Sequence, residues 1–401
     1  WKQGRLVDRG CTGVTMPGKG GWTLCAKKVR VRCECRFVCR VQGAGGLVGN
    51  LLSGILGSSG TSSGVVVLIK RPLEIPQYQE GMEVNLDPPP ATILNEGRPG
   101  HEVIAWFLPS SSADASGKVQ CCVTYDYTYY QRLVAPLGQY PPGFCDISDD
   151  APPPALAEKC RTTIDGVEAK RFDFKDREFI KWFEKGKLHE SSEDESEIDF
   201  ALRVLDHMGS SLMIGRKNKG LSVRQVMNSM TCTCHGCNSV FVTCMRRKGI
   251  PARVKHGQKL KKENTKASSL PGFEGGWTGS RPPDKHNGHS KSDFYASGLG
   301  WVPVETVYGK KHAKKTLAKR RLADKCEEEP HLVKYYDMGD GTNVDLRALA
   351  AAIGPKTKTS RAKLYVGQLS NVTIVPVSGH TLRPGTYKES DLRVHMHYNI
   401  K

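Results

Sequence analysis

The sequence predicts an α+β fold, on three observations. Short Val/Ile/Tyr-rich runs separated by Pro, Gly, Asn and Ser occupy the chain from Val65 to about Tyr130. Past residue 175 the apolar residues repeat at helical spacing, and after Gly249 the strand-like runs return.

Taken in order, Val29 to Phe37 alternates apolar and charged residues, the period of a half-buried strand. Gln42 to Gly64 is rich in Gly and Ser and reads as a linker or long loop. Val65–Ile69, Glu102–Leu108 and Val119–Tyr130 are short β-like runs, the pattern of a small β-sandwich. The Pro-rich stretch from Pro136 to Pro154 marks its end. Asp176 is placed to cap a helix with Phe179, Ile180 and Phe183 on one face, and Ile198, Leu202, Leu205 and Leu212 mark a second helix. A third runs from about Cys234 to Lys248 with Val240, Phe241, Cys244 and Met245 on one side; Gly249 stops it and Pro251 prevents its continuation. Strands follow at Arg253–His256, Ser292–Ala296 and Trp301–Val304, the last two joined by a turn at Gly298–Gly300. A short helix is expected near Leu346–Ile353, and β structure from Lys363 to Ile400.

The formal net charge of +18 is concentrated in three places. Residues 1–40, Arg253–Lys266 and Lys310–Lys325 carry +8, +5 and +7, so the remainder is close to neutral at −2. Such patches are solvated surface, or contacts for nucleic acid, an anionic surface or an acidic partner. An acidic run, Glu190 to Asp199, opposes them. No apolar run approaches the ~20 residues that span a bilayer, so no transmembrane segment is expected and the protein reads as soluble, its compartment left open. The chain opens on Trp1 instead of Met, which reads as a processed or incomplete start. The 14 cysteines permit disulfides without requiring them in a chain of 401 residues. Cys232, Cys234, His235 and Cys237 are too crowded on one turn for an unstrained tetrahedral site, so no metal and no cofactor is expected.

The chemistry centres on Cys234. A cysteine opening a buried helix meets free N–H groups and the positive end of the helix dipole, both of which stabilise a thiolate. His289 and Glu305 lie on two successive predicted strands, so a hairpin would turn both toward the helix start, a base and the carboxylate that orients it. On residues alone the inert packing of a buried cysteine stays open.

The string CHGCNSVFVTCMRRKGIPAR, Cys234 to Arg253, resembles the nucleophile segment of the transglutaminase-like (papain-like cysteine) superfamily, in which a cysteine opens a helix that ends in Gly-Ile-Pro-Ala-Arg. HSKSDFYASGLGWVPVE, His289 to Glu305, resembles the superfamily's His strand, Gly turn and Trp-Val-Pro-Val strand followed by an acid. EVIAWFLPSSS, Glu102 to Ser112, is similar to the β-domain that precedes the core in bacterial-type members. The resemblance implies Cys234 as nucleophile, His289 as base and Glu305 as third member, acting on glutamine or other amide groups of a protein or peptide substrate. Three departures accompany it: Glu305 for the usual Asp, Ser290-Lys291 for a small-aromatic pair, and Cys237 at a commonly aromatic position. Gln225 and Asn228 are the nearby candidates for a second oxyanion donor.

The implied organisation is a basic Cys/Gly-rich segment and linker over 1–64, a β-sandwich-like domain over 65–150, a transglutaminase-like core over 165–325 and a partly β extension over 326–401. Val254 to Gly288, rich in Lys, Gly and Pro, is expected to rim the substrate cleft and to favour acidic substrates, or else to be an insertion. The alternative function is a catalytically silent domain of this fold, a structural or interaction module docking through its basic patches to RNA, a membrane or a larger assembly, with or without nucleic acid.

Overall fold

A computed structural model describes residues 21–41, 63–89, 92–95, 101–139, 141–148, 171–190, 194–214, 222–259, 275–279, 288–306, 331–337, 342–366, 372–388 and 391–400. Its strands are β1 (Trp22–Arg40), β2 (Gly64–Lys70), β3 (Gln79–Asp87), β4 (Thr92–Leu94), β5 (Val103–Pro109), β6 (Lys118–Pro136), β7 (Cys145–Asp146), β8 (Met213–Ile214), β9 (Thr231–Cys232), β10 (Ala252–Lys259), β11 (Gly275–Gly279), β12 (Gly288–Ala296), β13 (Gly300–Val304), β14 (His331–Asp337), β15 (Thr342–Asp345), β16 (Lys358–Thr359), β17 (Lys363–Val366), β18 (Val372–Ser378), β19 (Thr381–Leu382) and β20 (Leu392–Ile400). The helices are α1 (Arg177–Lys185), α2 (Glu197–Ser211), α3 (Val223–Ser229), α4 (Cys234–Arg247) and α5 (Leu346–Ile353). None of these is long and apolar enough to cross a membrane.

Two sheets make the sandwich. The first has the order β11-β20-β1-β6-β3, with β7 also paired to β1. The second runs β16-β19-β18-β2-β5-β4. The alternation read in β1 is realised as an inward row of Val31, Cys33, Cys35, Phe37 and Cys39, which packs with Val65, Val67 and Ile69 of β2 and Ile104, Trp106 and Leu108 of β5. The unbroken apolar run of β2 follows from burial on both faces: Val66 and Leu68 point away from that interior and are covered by Leu346, Leu349 and Ala350 of α5.

Residues 1–64, expected as a segment and linker, contain a 19-residue strand that pairs along its full length with β6 and also with the C-terminal strand β20. A strand with one wholly apolar face must bury it, and here it does so in the middle of the first sheet. The strands of the sandwich thus come from both ends of the chain, with β18 beside β2 and β20 beside β1. Residues 1–20 and 42–62 lie outside the described residues, as do Lys310–Lys325 and most of Val254–Gly288.

The α+β core follows. Asp176 caps α1, accepting hydrogen bonds from the Glu178 and Phe179 N–H groups, and Ser196 caps α2. Helices α2, α3 and α4 share one interior with the sheet β13-β12-β10-β14 through Val204, Val226, Val240, Phe241, Val254, Phe294 and Val302. Helix α4 ends where the Gly249-Ile250-Pro251 sequence requires: Gly249 has φ +80, and the Ile250 N–H bonds back to the Met245 carbonyl. Arg132 of β6 reaches from the sandwich into this core, donating to the Trp301 carbonyl at 3.0 Å and to Asp293 Oδ1 at 3.3 Å.

Candidate active site

Helix α4 begins at Cys234, with Thr233 as the preceding extended residue. Its first turn abuts β12, because period-two alternation points Ser290, Ser292 and Phe294 toward the helix. The contacts follow that order: His235 Nδ1 lies 3.2 Å from Ser290 Oγ, Asn238 bonds both Ser290 and Ser292, and Phe241 meets Phe294 edge to face. The expected hairpin joins β12 to β13 with Ala296 opposite Gly300 and Ser292 opposite Val304. Gly298 and Gly300 take φ +75 and +82 in its turn, the left-handed region open to glycine.

Glu305, one residue past β13, is thereby brought beside the start of β12. Its Oε2 lies 2.9 Å from His289 Nε2, and the carboxylate is 2% exposed. The His289 side chain in turn hydrogen-bonds the Cys234 sulfur. All three residues singled out in the sequence thus lie in one hydrogen-bonded chain, Cys234 to His289 to Glu305.

Burial by itself would raise the Cys234 pKa. The hydrogen bond from His289, the charge on that ring and the Ser290 backbone N–H outweigh burial and the nearby Glu305 charge, and hold the thiol below its ordinary value. At two other cysteines burial outweighs the partners that lower the pKa. Burial pushes Cys39 up to about 12 and Cys244, ten residues along the same helix, well above the usual thiol range.

Several features had no counterpart in the sequence reading. Cys232 and Cys237, considered with Cys234 and His235 as a crowded metal grouping, are joined to each other as a disulfide that brackets Cys234. Their spacing across a strand-to-helix turn was the only available signal. His235 and His256 are buried, stacked at 4.3 Å between ring centroids, and both use Nδ1 to meet the Ser290 hydroxyl. Of the proposed oxyanion donors, Gln225 has its carbonyl oxygen in a capping box with Ser222 at the start of α3, and Asn228 is exposed.

The basic stretch from Arg253 is corrected in part. Arg253 and Lys255 are buried instead of lining a surface, and the departure residue Lys291 is buried as well. Lys255 Nζ is 2.6 Å from Asp293 Oδ1, and Arg253 Nη2 is 3.3 Å from Oδ2, so together with Arg132 three cations surround one buried carboxylate. Burial would raise the Asp293 pKa, but Lys255, Arg132 and Arg253 overcome it and hold the carboxyl below its usual range. This part of the charge is structural: it ties β6, β10 and β12 together beneath the site.

Comparison with known proteins places the family model described as the transglutaminase-like superfamily on residues 186–306, which include all three site residues. An uncharacterized protein of Haemophilus influenzae is 34% identical over 97 residues, 24% of this chain and 24% of that protein, so the chain matches about a quarter of its curated relative's length. Among solved structures, a candidate cysteine protease from Cytophaga hutchinsonii aligns with a TM-score of 0.38 at 11% identity, covering 94% of this chain and 99% of that one. The periplasmic domain of TgpA from Pseudomonas aeruginosa aligns with a TM-score of 0.30 at 10% identity, covering 72% of this chain and 94% of that domain.

Proposed function

Residues 186–306 being a transglutaminase-like core, we propose that the protein catalyses acyl transfer from protein or peptide amide groups through a Cys234-His289-Glu305 triad. One observation carries this reading: the hydrogen-bonded chain from the Cys234 thiol through His289 to a buried Glu305 carboxylate. Glu305 replaces the shorter Asp, and the added methylene is compatible with a 2.9 Å contact to Nε2.

In this mechanism the thiolate attacks the carbonyl carbon of a glutamine side chain or another amide, forming a C–S bond and moving the π electrons onto oxygen. In this reading the backbone N–H of Cys234, at the first position of the helix, helps to hold that oxyanion. His289 delivers its proton to the leaving nitrogen as the C–N bond breaks, leaving a thioester on Cys234 and releasing ammonia or an amine. Glu305 holds the imidazole in the orientation this transfer needs and stabilises the imidazolium. An amine then attacks the thioester to give a new amide, or water attacks to give a carboxylic acid; either step returns the thiol.

The test is incorporation of a labelled primary amine into a glutamine-containing protein, run beside ammonia release to register the hydrolytic branch. Cys234→Ala is expected to abolish both. Unchanged rates in that variant rule the reading out.

A further inference from the structure

Asn238 sits one turn into α4 and is fully buried. Its amide nitrogen donates to the Cys234 carbonyl at 2.7 Å and to the Ser290 carbonyl at 2.8 Å, so both hydrogens are used. Its amide oxygen accepts from the Ser292 hydroxyl, which fixes which way the amide faces. These partners lie on two elements whose separation determines the site. Cys234 is the first residue of α4, and Ser290 is the β12 residue next to His289.

Resting on the triad reading above, we propose that Asn238 is a positioning residue: with its two amide hydrogens it clamps the Cys234 end of α4 against the β12 residue adjacent to His289. Ser290 is the hub of the clamp. Its carbonyl is held by Asn238, its N–H meets the Cys234 sulfur, and its hydroxyl is shared by His235 and His256. The chain Asn238 to Ser290 to sulfur is therefore a second connection between helix and strand, independent of the imidazole. Losing it removes the side-chain bonds to the Cys234 and Ser290 carbonyls together, and the sulfur moves relative to both the N–H and the ring that stabilise its anion. The ionisable groups that face the sulfur are His289 and Glu305, with the His235 and His256 rings bonded to Ser290 behind it, and Asn238 changes none of their chemistry. What it changes is the distance over which they act.

The experiment is the pH dependence of iodoacetamide alkylation at Cys234 in the full chain, read by peptide mass spectrometry. The native protein is expected to show an inflection below that of an ordinary thiol. In Asn238→Ala the inflection should rise by about one pH unit, so that alkylation at a pH below it slows about tenfold. Thermal unfolding of the same samples reports whether the variant is folded. Ser292→Ala, which removes only the bond that orients the amide, is expected to give a smaller rise in the same direction, and it decides the matter if Asn238→Ala does not fold. A folded Asn238→Ala, or failing that Ser292→Ala, with native inflection and rate overturns the positioning role and leaves the triad reading standing. A native protein whose Cys234 titrates as an ordinary thiol overturns both.

Discussion

Glu305 Oε2 lies 2.9 Å from His289 Nε2 although the two residues are 16 positions apart, one on β12 and the other just past β13, and the carboxylate is shut away from water. A buried carboxylate in that position has one evident role, to hold an imidazole and to stabilise its cation. Removing the charge while keeping the shape, as in Glu305→Gln, is therefore expected to lower kcat/KM for amine incorporation by about 10²–10⁴-fold with little change in KM. Glu305→Asp, one methylene shorter, should lose less. Steady-state kinetics on the two variants check the order.

The Cys232–Cys237 bridge and the partnered thiol predict a pattern of labelling. Without reductant, iodoacetamide near neutral pH should modify Cys234 well before Cys39 or Cys244, whose thiols burial keeps protonated, and should leave Cys232 and Cys237 unmodified. After reduction all of these become accessible on unfolding. Replacing the bridge by Cys232→Ser with Cys237→Ser is expected to cost about 2 kcal/mol, the chain-entropy figure for so short a loop. Peptide mapping and thermal unfolding measure the two effects.

Asp293 anchors Arg132, Arg253 and Lys255 in the interior between the sandwich and the core. Asp293→Asn removes the carboxylate from three buried cations and is expected to destabilise the fold by about 3–5 kcal/mol. The sign of the pH dependence follows from the folded-state pKa lying below the ordinary Asp value. The stabilisation is complete above that ordinary value and is lost as pH falls from it through the depressed folded pKa. Urea unfolding of the native chain between neutral and acid pH, compared with Asp293→Asn, isolates this contribution.

Asp176 accepts the Glu178 and Phe179 N–H groups at 3.1 Å each and receives Arg224 Nε of α3 at 3.2 Å, so one side chain caps α1 and joins it to α3. Asp176→Ala is expected to cost about 0.5–2 kcal/mol with no change in the alkylation profile of Cys234. A chemical-denaturation midpoint and the alkylation rate give the two answers.

Elements whose signal is local were legible in the sequence. The cap at Asp176, the start of α4 at Cys234, its stop at Gly249 and the Gly298–Gly300 hairpin all follow from rules acting over a few residues, and the structure places them there. Helix α5 matches its expected Leu346–Ile353 bounds for the same reason. Pairings across long stretches of chain were not legible. Nothing in Val29–Phe37 announces that it pairs with residues 121–129 and 394–400, because an alternating strand specifies which face is buried but not which neighbour buries it. The site divides in the same way. Cys234, His289 and Glu305 stand out through spacing and resemblance, whereas Asn238, Ser290 and Asp293 act through contacts between α4, β10, β12 and β6 that only the folded chain brings together. Lys255, read as part of a basic surface patch, proved to be interior because a run of basic residues carries no mark of which members meet a buried acid.

The central claim is that Cys234 is the atom that takes up the acyl group. It is tested most directly by incubating the 401-residue chain with a glutamine-containing peptide, quenching in acid and measuring the mass of the peptide that carries Cys234. A hydroxylamine-labile adduct on Cys234, equal to the substrate less ammonia and absent from Cys234→Ala, is the predicted result. Ammonia release or amine incorporation that proceeds with no adduct on Cys234, and at the same rate in Cys234→Ala, would contradict it.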